Sequence, residues 1–211
     1  MYTLYYSPGS ASLVVHCLLE ELRCDFKLER AIIDGDAAAR AAYREVNPKG
    51  KVPALRTPEG LLTECVAIVE YLCDKHGDST LIGKTGSWER ARVMERMATL
   101  ATEVHPVMNR FFHADDFSAD PAVQAAVKAR GTEKLLAYFR NENEQLRGNW
   151  WSGSRLTAAD FYFMVVARWG RWLDPPANEM ERIRPFYERM IARPAVARAF
   201  ASEGIKAFGT T

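Results

Sequence analysis

The sequence predicts an α/β domain over residues 1–77, a linker over residues 78–87 and an all-helical domain over residues 88–211. In the first part, short apolar segments bounded by turn residues alternate with segments of helical periodicity, which is typical of a mixed α/β unit. Residues 77–87 contain three glycines and no periodicity, which indicates a connector. After residue 88, apolar residues recur three and four positions apart, and no strand pattern competes with them.

The α/β domain is predicted to run in the order strand, helix, strand, helix, strand, strand, helix. Its first strand, Tyr2–Tyr6, is aromatic and stops at Ser7-Pro8-Gly9, which predicts a turn. The other predicted strands cover residues 26–33, a short stretch ending near residue 55, and residues 61–63. The predicted helices cover residues 13–22, 36–46 and 65–75.

The second part is predicted to contain five helices, over residues 88–112, 121–146, 158–173, 179–191 and 195–202. Thr157 is a candidate N-cap, and Asp160, three residues later, completes a capping pattern with Asp in place of the usual Glu. Pro106 falls inside the first of these helices, where we expect it to bend the helix and free a carbonyl group.

Composition narrows the class of protein. With 48% hydrophobic and 26% charged residues in 211, the chain is typical of a globular protein. Lys and Arg total 28 against 27 Asp and Glu, so we expect no nucleic-acid partner and no membrane partner. Four cysteines without a CxxC pair, and no leader or membrane-spanning run, favour the reducing cytoplasm. No spacing of ligating residues indicates a metal site.

Two local patterns point to a ligand. Pro53 stands at the start of a short predicted strand, where a cis Val52-Pro53 bond would let Val52 offer its N–H and C=O to a ligand; a trans proline at a sheet edge is the alternative. Glu64 ends the last predicted strand and Cys65 opens a helix. A carboxylate beside free helix N–H groups suits the ammonium and carboxylate of an α-amino acid.

Four segments, taken in order, resemble the cytosolic glutathione S-transferases, most closely the bacterial beta class. They are YYSPGSASL (5–13), NPKGKVPAL (47–55), LTECVAI (62–68) and LTAAD (156–160), and the C-terminal residues 189–194 and 202–204 are similar as well. The resemblance implies a thioredoxin-like N-terminal domain that binds glutathione. It also implies an all-helical C-terminal domain that supplies the electrophile site, and a homodimer with an interface on the fourth and fifth helices.

The resemblance implies glutathione-binding residues at Lys51, Val52, Pro53, Glu64 and Cys65, with Thr102 reaching the ligand of a partner subunit. Cys65 replaces a serine common in the wider superfamily, and its place at a helix start predicts a lowered thiol pKa.

The class carries its cysteine at the position of Ala11, so exchange between a protein thiol and glutathione is excluded there. Ser10 becomes the first candidate for stabilising the glutathione thiolate, followed by Tyr5, Ser12 and His105. Alternation along the first strand predicts that Tyr5 is buried.

In the helical domain, His105 either faces the active site or is an exposed helix histidine. Arg168 and Trp169 match a wall of the electrophile pocket, although a tryptophan at helical spacing is more often core.

The implied function is that of an enzyme, a glutathione transferase with glutathione as co-substrate and no metal, acting on small hydrophobic electrophiles in alkyl or aryl transfer. One alternative is a non-catalytic glutathione-binding or protein-interaction module on the same fold. Another is a glutathione-dependent isomerase, dehalogenase or peroxidase. The presence of Glu64 and Val52-Pro53 argues against a module that no longer binds glutathione.

Overall fold

The structure is a computed structural model that describes residues 1–33, 36–77 and 79–208. The N-terminal part is a four-stranded sheet with three helices. Its strands are β1 (Tyr2–Tyr6), β2 (Phe26–Arg30), β3 (Ala54–Thr57) and β4 (Gly60–Thr63), and its helices are α1 (Ser12–Glu21), α2 (Ala37–Val46) and α3 (Cys65–Lys75). The predicted order of elements is confirmed, although β2 is shorter than the predicted strand over 26–33.

The sheet has the strand order β2-β1-β3-β4, with β1 parallel to β2 and antiparallel to β3. Successive side chains of β1 point to opposite faces. Tyr2 packs against Tyr71 of α3, and Tyr6 packs against His16 of α1. Tyr5 packs against Tyr43 of α2 on the other face. The sheet therefore lies between α1 and α3 on one side and α2 on the other.

The C-terminal part is helical. Its helices are α4 (Ser79–Ile82), α5 (Trp88–Thr99), α6 (His105–Phe112), α7 (Pro121–Gln145), α8 (Ala158–Trp169), α9 (Ile183–Ile191) and α10 (Pro194–Glu203). Every residue of α8 is buried. Because α1 packs against both α8 and α10, the two parts of the chain share one apolar core.

The helical part departs from the prediction at three places. The predicted linker contains the short helix α4. The predicted helix over 158–173 ends at Trp169, where a 3-10 turn, Gly170–Trp172, follows. The predicted helix over 179–191 begins only at Ile183. Short apolar windows do not separate an α-helix from adjoining 3-10 turns, because both place side chains three or four residues apart.

Pro106 lies just after a change in the hydrogen-bond pattern of the predicted helix over 88–112, while the expected bend and freed carbonyl stay predictions. A π-helical turn, Leu100–Val104, separates α5 from α6, and the His105 N–H donates to the Leu100 carbonyl five residues back. Proline has no N–H for the usual ladder, so the hydrogen bonds before it shift by one residue.

The capping pattern at α8 is confirmed, since the Thr157 N–H donates to Asp160 Oδ2 at 2.8 Å.

Residues 78 and 209–211 lie outside the described residues, and the domain boundaries at 77/78 and 87/88 stay predictions. None of the helices in the described ranges is both long and apolar enough to cross a membrane.

Candidate active site

The turn between β1 and α1 holds two serine hydroxyls with different freedom. Ser12 is fully buried; its hydroxyl donates to the Ser7 carbonyl and accepts from the Ser7 N–H, both at 3.2 Å. The Ser10 hydroxyl lies 2.8 Å from that of Ser12. Because Ser12 has spent its one proton on Ser7, Ser10 donates in this pair. Ser12 is thus saturated, and Ser10 is the hydroxyl that can turn to a ligand.

The start of α1 offers a second donor beside Ser10. The Ser12 N–H donates to Ser10 Oγ at 3.2 Å, and the Leu13 N–H donates to the Ser10 carbonyl at 3.0 Å. Within the described residues, the Ala11 N–H has no hydrogen-bond partner. A free N–H at a helix N-terminus attracts negative charge, so Ser10 and Ala11 together form a site for an anion such as a thiolate.

The helical domain holds this turn by its backbone. The Gly9 N–H donates to Glu203 Oε2 at 2.7 Å, and Trp169 Nε1 donates to the Gly9 carbonyl at 2.8 Å. Gly9 has a φ of +69°, and a Cβ there would lie 2.9 Å from Arg168 Nη1. Only glycine fits this close approach in a left-handed backbone conformation.

Glu203 also reaches the first helix. Its Oε1 lies 2.8 Å from Nδ1 of His16, and both side chains are fully buried. One carboxylate therefore links α10, the Gly9 backbone and α1.

The loop before β3 presents a free piece of backbone. The Val52-Pro53 bond is cis, which is one of the two alternatives that the sequence left open, the other being a trans proline at a sheet edge. The Lys51 carbonyl accepts from the Tyr43 hydroxyl at 2.8 Å and from Asn47 Nδ2 at 2.7 Å, which fixes the loop. No hydrogen bond among the described residues uses the N–H or C=O of Val52. Both groups are available to an extended ligand.

Glu64 and Cys65 form the corner between β4 and α3. Glu64 has a φ of 72° and makes no side-chain hydrogen bond to its own helix, so its carboxylate faces outward. Burial, with a smaller effect from the neighbouring charge of Glu64, raises the pKa of the Cys65 thiol to about 12. The predicted lowering of the pKa of Cys65 is therefore wrong, because desolvation outweighs the helix dipole.

Lys49 is a further polar group of this corner. Its Nζ donates to Glu64 Oε1 at 2.7 Å and to Thr63 Oγ1 at 3.0 Å.

His105 faces this corner from the helical domain. Its Nδ1 lies 3.1 Å from the Tyr162 hydroxyl, and its ring centroid lies 4.8 Å from that of Trp169. Burial, with a smaller effect from the charge of Lys51, holds the pKa of His105 below its ordinary value, while Glu64 acts in the opposite direction. The interpretation of His105 as an exposed histidine is wrong, since most of the ring is covered.

Two predicted site residues, Tyr5 and Thr102, lie apart from these groups, and a third, Arg168, lies beneath the Gly9 turn. Tyr5 is buried as expected, and its hydroxyl accepts from Arg56 on the α2 face of the sheet. The Thr102 hydroxyl is exposed and donates to the Ala98 carbonyl of its own helix. Arg168 is buried beneath Gly9, and its Nε donates to the Lys206 carbonyl at 3.2 Å.

Sequence reasoning gave no role to four residues that the structure places at the site. Asn47, Lys49 and Tyr162 contact predicted site residues, and Glu203 holds the Gly9 turn next to Ser10. Glu203 had one signal, because it lies in the C-terminal segment that resembles the beta class. Asn47 and Lys49 had the same kind of signal, since they lie in the segment 47–55 that resembles the family. Tyr162 had none, because its importance comes from a tertiary contact.

Within the ranges that the structure describes, no group of three or more His, Cys, Asp or Glu side chains is arranged to hold a metal ion.

The chain matches two family models, the glutathione S-transferase N-terminal domain over residues 4–80 and the glutathione S-transferase C-terminal domain over residues 99–194. It is 37% identical to glutathione S-transferase GstA of Escherichia coli O157:H7, over 96% of this chain and 99% of that protein.

Two solved structures are similar throughout. One is a sphingomonad glutathione S-transferase complexed with glutathione, at 30% identity, a TM-score of 0.83 and coverage of 97% of this chain and 100% of that one. The other is a bacterial beta class enzyme of Sphingomonas chungbukensis, at 26% identity, a TM-score of 0.82 and coverage of 97% and 100%.

A thioredoxin-like domain followed by a helical domain is the architecture of a glutathione-dependent enzyme of this kind. The chain belongs to the cytosolic glutathione S-transferase family. It is a glutathione transferase with glutathione as its co-substrate, and the module, isomerase, dehalogenase and peroxidase alternatives are not favoured.

Proposed function

We propose that glutathione lies along Val52 and Pro53, with its γ-glutamyl end at Glu64 and Cys65 and its sulfur at Ser10. The unpaired N–H and C=O of Val52 carry this proposal, because they match the backbone of a peptide ligand. Glu64 takes the ligand ammonium, and the N–H groups that open α3 take its carboxylate. Lys51 adds a positive charge beside the same loop.

In this mechanism the Ser10 hydroxyl turns from Ser12 and donates to the glutathione sulfur, while the Ala11 N–H donates from the start of α1. A free thiol has a pKa of about 8.5, and lowering it by about two units needs about 2.7 kcal/mol of thiolate stabilisation. A hydrogen bond to a charged sulfur and the helix dipole together reach this value. The thiolate then attacks an electrophilic carbon, and the leaving group departs with its electron pair.

The second substrate is a small hydrophobic electrophile that transfers an alkyl or aryl group. We place it against His105 and Trp169, whose rings lie 4.8 Å apart at an interplanar angle of 54° near the Gly9 turn. Because its pKa is lowered, His105 is uncharged at neutral pH and suits an apolar partner. Arg168 supports this wall by holding the turn from below.

We further propose a cytoplasmic homodimer in which Thr102 approaches the glutathione of the partner subunit. Its interface is formed by α5, α6 and α7, which correspond to the fourth and fifth predicted helices over residues 88–112 and 121–146. The exposure of Thr102 supports this assignment, and so does its place on the rim of a cavity of about 400 Å³ between α6 and α7. Sedimentation at micromolar concentration tests it, since a monomer would contradict it.

Retention on immobilised glutathione tests the binding mode. We expect Glu64→Ala to abolish retention, because the ligand ammonium then loses its anionic partner. Glu59→Ala is the matched control, since Glu59 is an exposed carboxylate of the same domain that pairs with Lys75. Wild-type retention by Glu64→Ala would refute the assignment, and loss of retention by both variants would show a general effect of charge.

A further inference from the structure

The carboxylate that we assign to the ligand ammonium already carries an ammonium group of the protein. Lys49 Nζ lies 2.7 Å from Glu64 Oε1 and donates also to Thr63 Oγ1 at 3.0 Å. Both side chains of the ion pair are largely exposed, at 53% for Lys49 and 73% for Glu64. A ligand therefore meets this pair from solvent, and no part of the fold has to open.

The backbone on both sides of the pair is fixed. The Lys49 N–H donates to Asn47 Oδ1 at 3.2 Å, and the Gly50 N–H donates to the Asn47 carbonyl at 2.8 Å. Asn47 itself is buried. The side chain of Asn47 also holds the Lys51 carbonyl, so one asparagine positions Lys49 and the loop that carries Val52.

An amino group of lysine and the α-ammonium of a γ-glutamyl residue are the same kind of donor. Each seeks a carboxylate oxygen at about 2.7–2.9 Å, and two cations on one carboxylate repel each other. The ligand ammonium and Lys49 therefore compete for Glu64.

We propose that Lys49 occupies the ammonium position in the free protein and that glutathione must displace it, so that Lys49 sets the affinity and selectivity for the γ-glutamyl end. This inference rests on the proposed role of Glu64 in glutathione binding. Lys49 is then a specificity-determining residue: a ligand with an ammonium group recovers the ion pair with Glu64, whereas a ligand without one leaves the internal pair in place.

The direction of the change in Kd for glutathione when Lys49 is removed distinguishes this proposal from a general effect of the lysine charge. Glutathione has a net negative charge at neutral pH, so removal of a nearby lysine should ordinarily weaken its binding. Removal of a competitor should strengthen it. The strength of an exposed ion pair limits the gain to about two- to fivefold in Kd.

The test measures Kd by calorimetry at constant ionic strength for wild type, Lys49→Met and Lys75→Met. The matched control is Lys75, which forms an ion pair of the same 2.7 Å length with Glu59 at similar exposure. The two probes are glutathione and N-glutaryl-cysteinylglycine, which keeps the peptide but lacks the ammonium group. We expect Lys49→Met to bind glutathione about two- to fivefold more tightly and the analogue no more tightly than wild type does.

Unchanged or weaker glutathione binding in Lys49→Met would overturn the proposal. An equal gain for both ligands, or the same gain in Lys75→Met, would overturn it as well. A third variant, Glu64→Gln, distinguishes a failure of the proposed competition by Lys49 from a failure of the proposed role of Glu64 in binding glutathione. If Glu64→Gln binds glutathione as wild type does, the proposed role of Glu64 fails; if it loses binding while Lys49→Met shows no gain, only the competition fails.

Discussion

Ser10 and Ser12 have the same side chain, and hydrogen bonding gives them different chemistry. The Ser12 hydroxyl is buried and uses its proton and both acceptor positions within the turn. Moving it would leave the Ser7 N–H unpaired, at a cost of about 1 kcal/mol, although the Ser7 carbonyl would keep its hydrogen bond from the Ser10 N–H. When the Ser10 side chain turns, it gives up two hydrogen bonds, one to the Ser12 hydroxyl and one from the Ser12 N–H. Ser10, which we propose as the donor to the thiolate, is therefore the less saturated of the two hydroxyls.

At the same scale, His105 should make stability depend on pH. Burial lowers its pKa in the folded protein, whereas the unfolded chain titrates near 6.5. Below about pH 6.5 the unfolded state then binds more protons, so His105 contributes stability above this pH that is lost as the pH falls.

We expect the free energy of unfolding in urea to fall between about pH 7.5 and pH 5.5 in both proteins, but less in His105→Gln than in wild type. The difference between the two losses should reach at most about 1.4 kcal/mol for each unit by which the pKa of His105 is lowered. Equal losses in the two proteins, measured at one protein concentration, would contradict this assignment.

At the scale of elements, the end of α8 determines where Trp169 lies. The helix stops at Gly170, where the chain passes closely between α7 and the 3-10 turn Ala177–Glu179. A Cβ at Gly170 would lie 2.5 Å from the Ala177 Cβ and 2.9 Å from the Phe139 ring. The glycine is required for this close contact and not for its backbone angles, since its φ is −68°.

We therefore expect Gly170→Ala to destabilise the protein by about 1–3 kcal/mol, the usual cost of overpacking a core. Gly131→Ala is the matched control, because Gly131 lies inside α7 and the nearest atom to its added Cβ is 3.7 Å away. That change should be neutral or stabilise by about 0.5–1 kcal/mol. Urea unfolding of both variants checks the pair, and a Gly170→Ala protein as stable as wild type would contradict the contact.

At the scale of the whole molecule, Glu203 connects the two domains at the turn that contains Ser10. Its two oxygens accept from the Gly9 N–H and from His16, and both partners belong to the N-terminal domain. A second contact between α1 and α10, Glu20 with Arg198, lies at the surface. The geometry around Ser10 therefore depends on a residue near the other end of the chain.

Glu203→Ala should destabilise the protein by about 1–3 kcal/mol, because the buried His16 ring and the half-buried Gly9 N–H lose their hydrogen-bond partner. Glu20→Ala should cost less than about 1 kcal/mol, since its partner Arg198 is about half exposed to solvent. Thermal and urea unfolding measure both. Similar losses in the two variants would show that the buried contact is no stronger than the surface one.

Sequence patterns were sufficient to predict the fold and some of the residues that lie at the candidate site. Tyr2–Tyr6, the turn at Gly9 and the capping pair at Thr157 and Asp160 are local signals, and the structure has them where the sequence predicts them. The difference between Ser10 and Ser12 needed the hydrogen bonds of the folded turn. The direction of the Cys65 pKa needed its burial, which depends on packing that no local pattern contains.

The most direct test of the hydroxyl mechanism is a pH titration of bound glutathione, followed by the ultraviolet absorbance of its thiolate. In the wild-type protein we expect a thiol pKa about two units below the value of about 8.5 for a free thiol. Ser10→Ala should raise it by about one unit or more and lower turnover about 10- to 1000-fold, while Cys65→Ser should leave both close to wild type. An unchanged thiol pKa in Ser10→Ala, together with loss of the shift in Cys65→Ser, would contradict the account and make Cys65 the catalytic group.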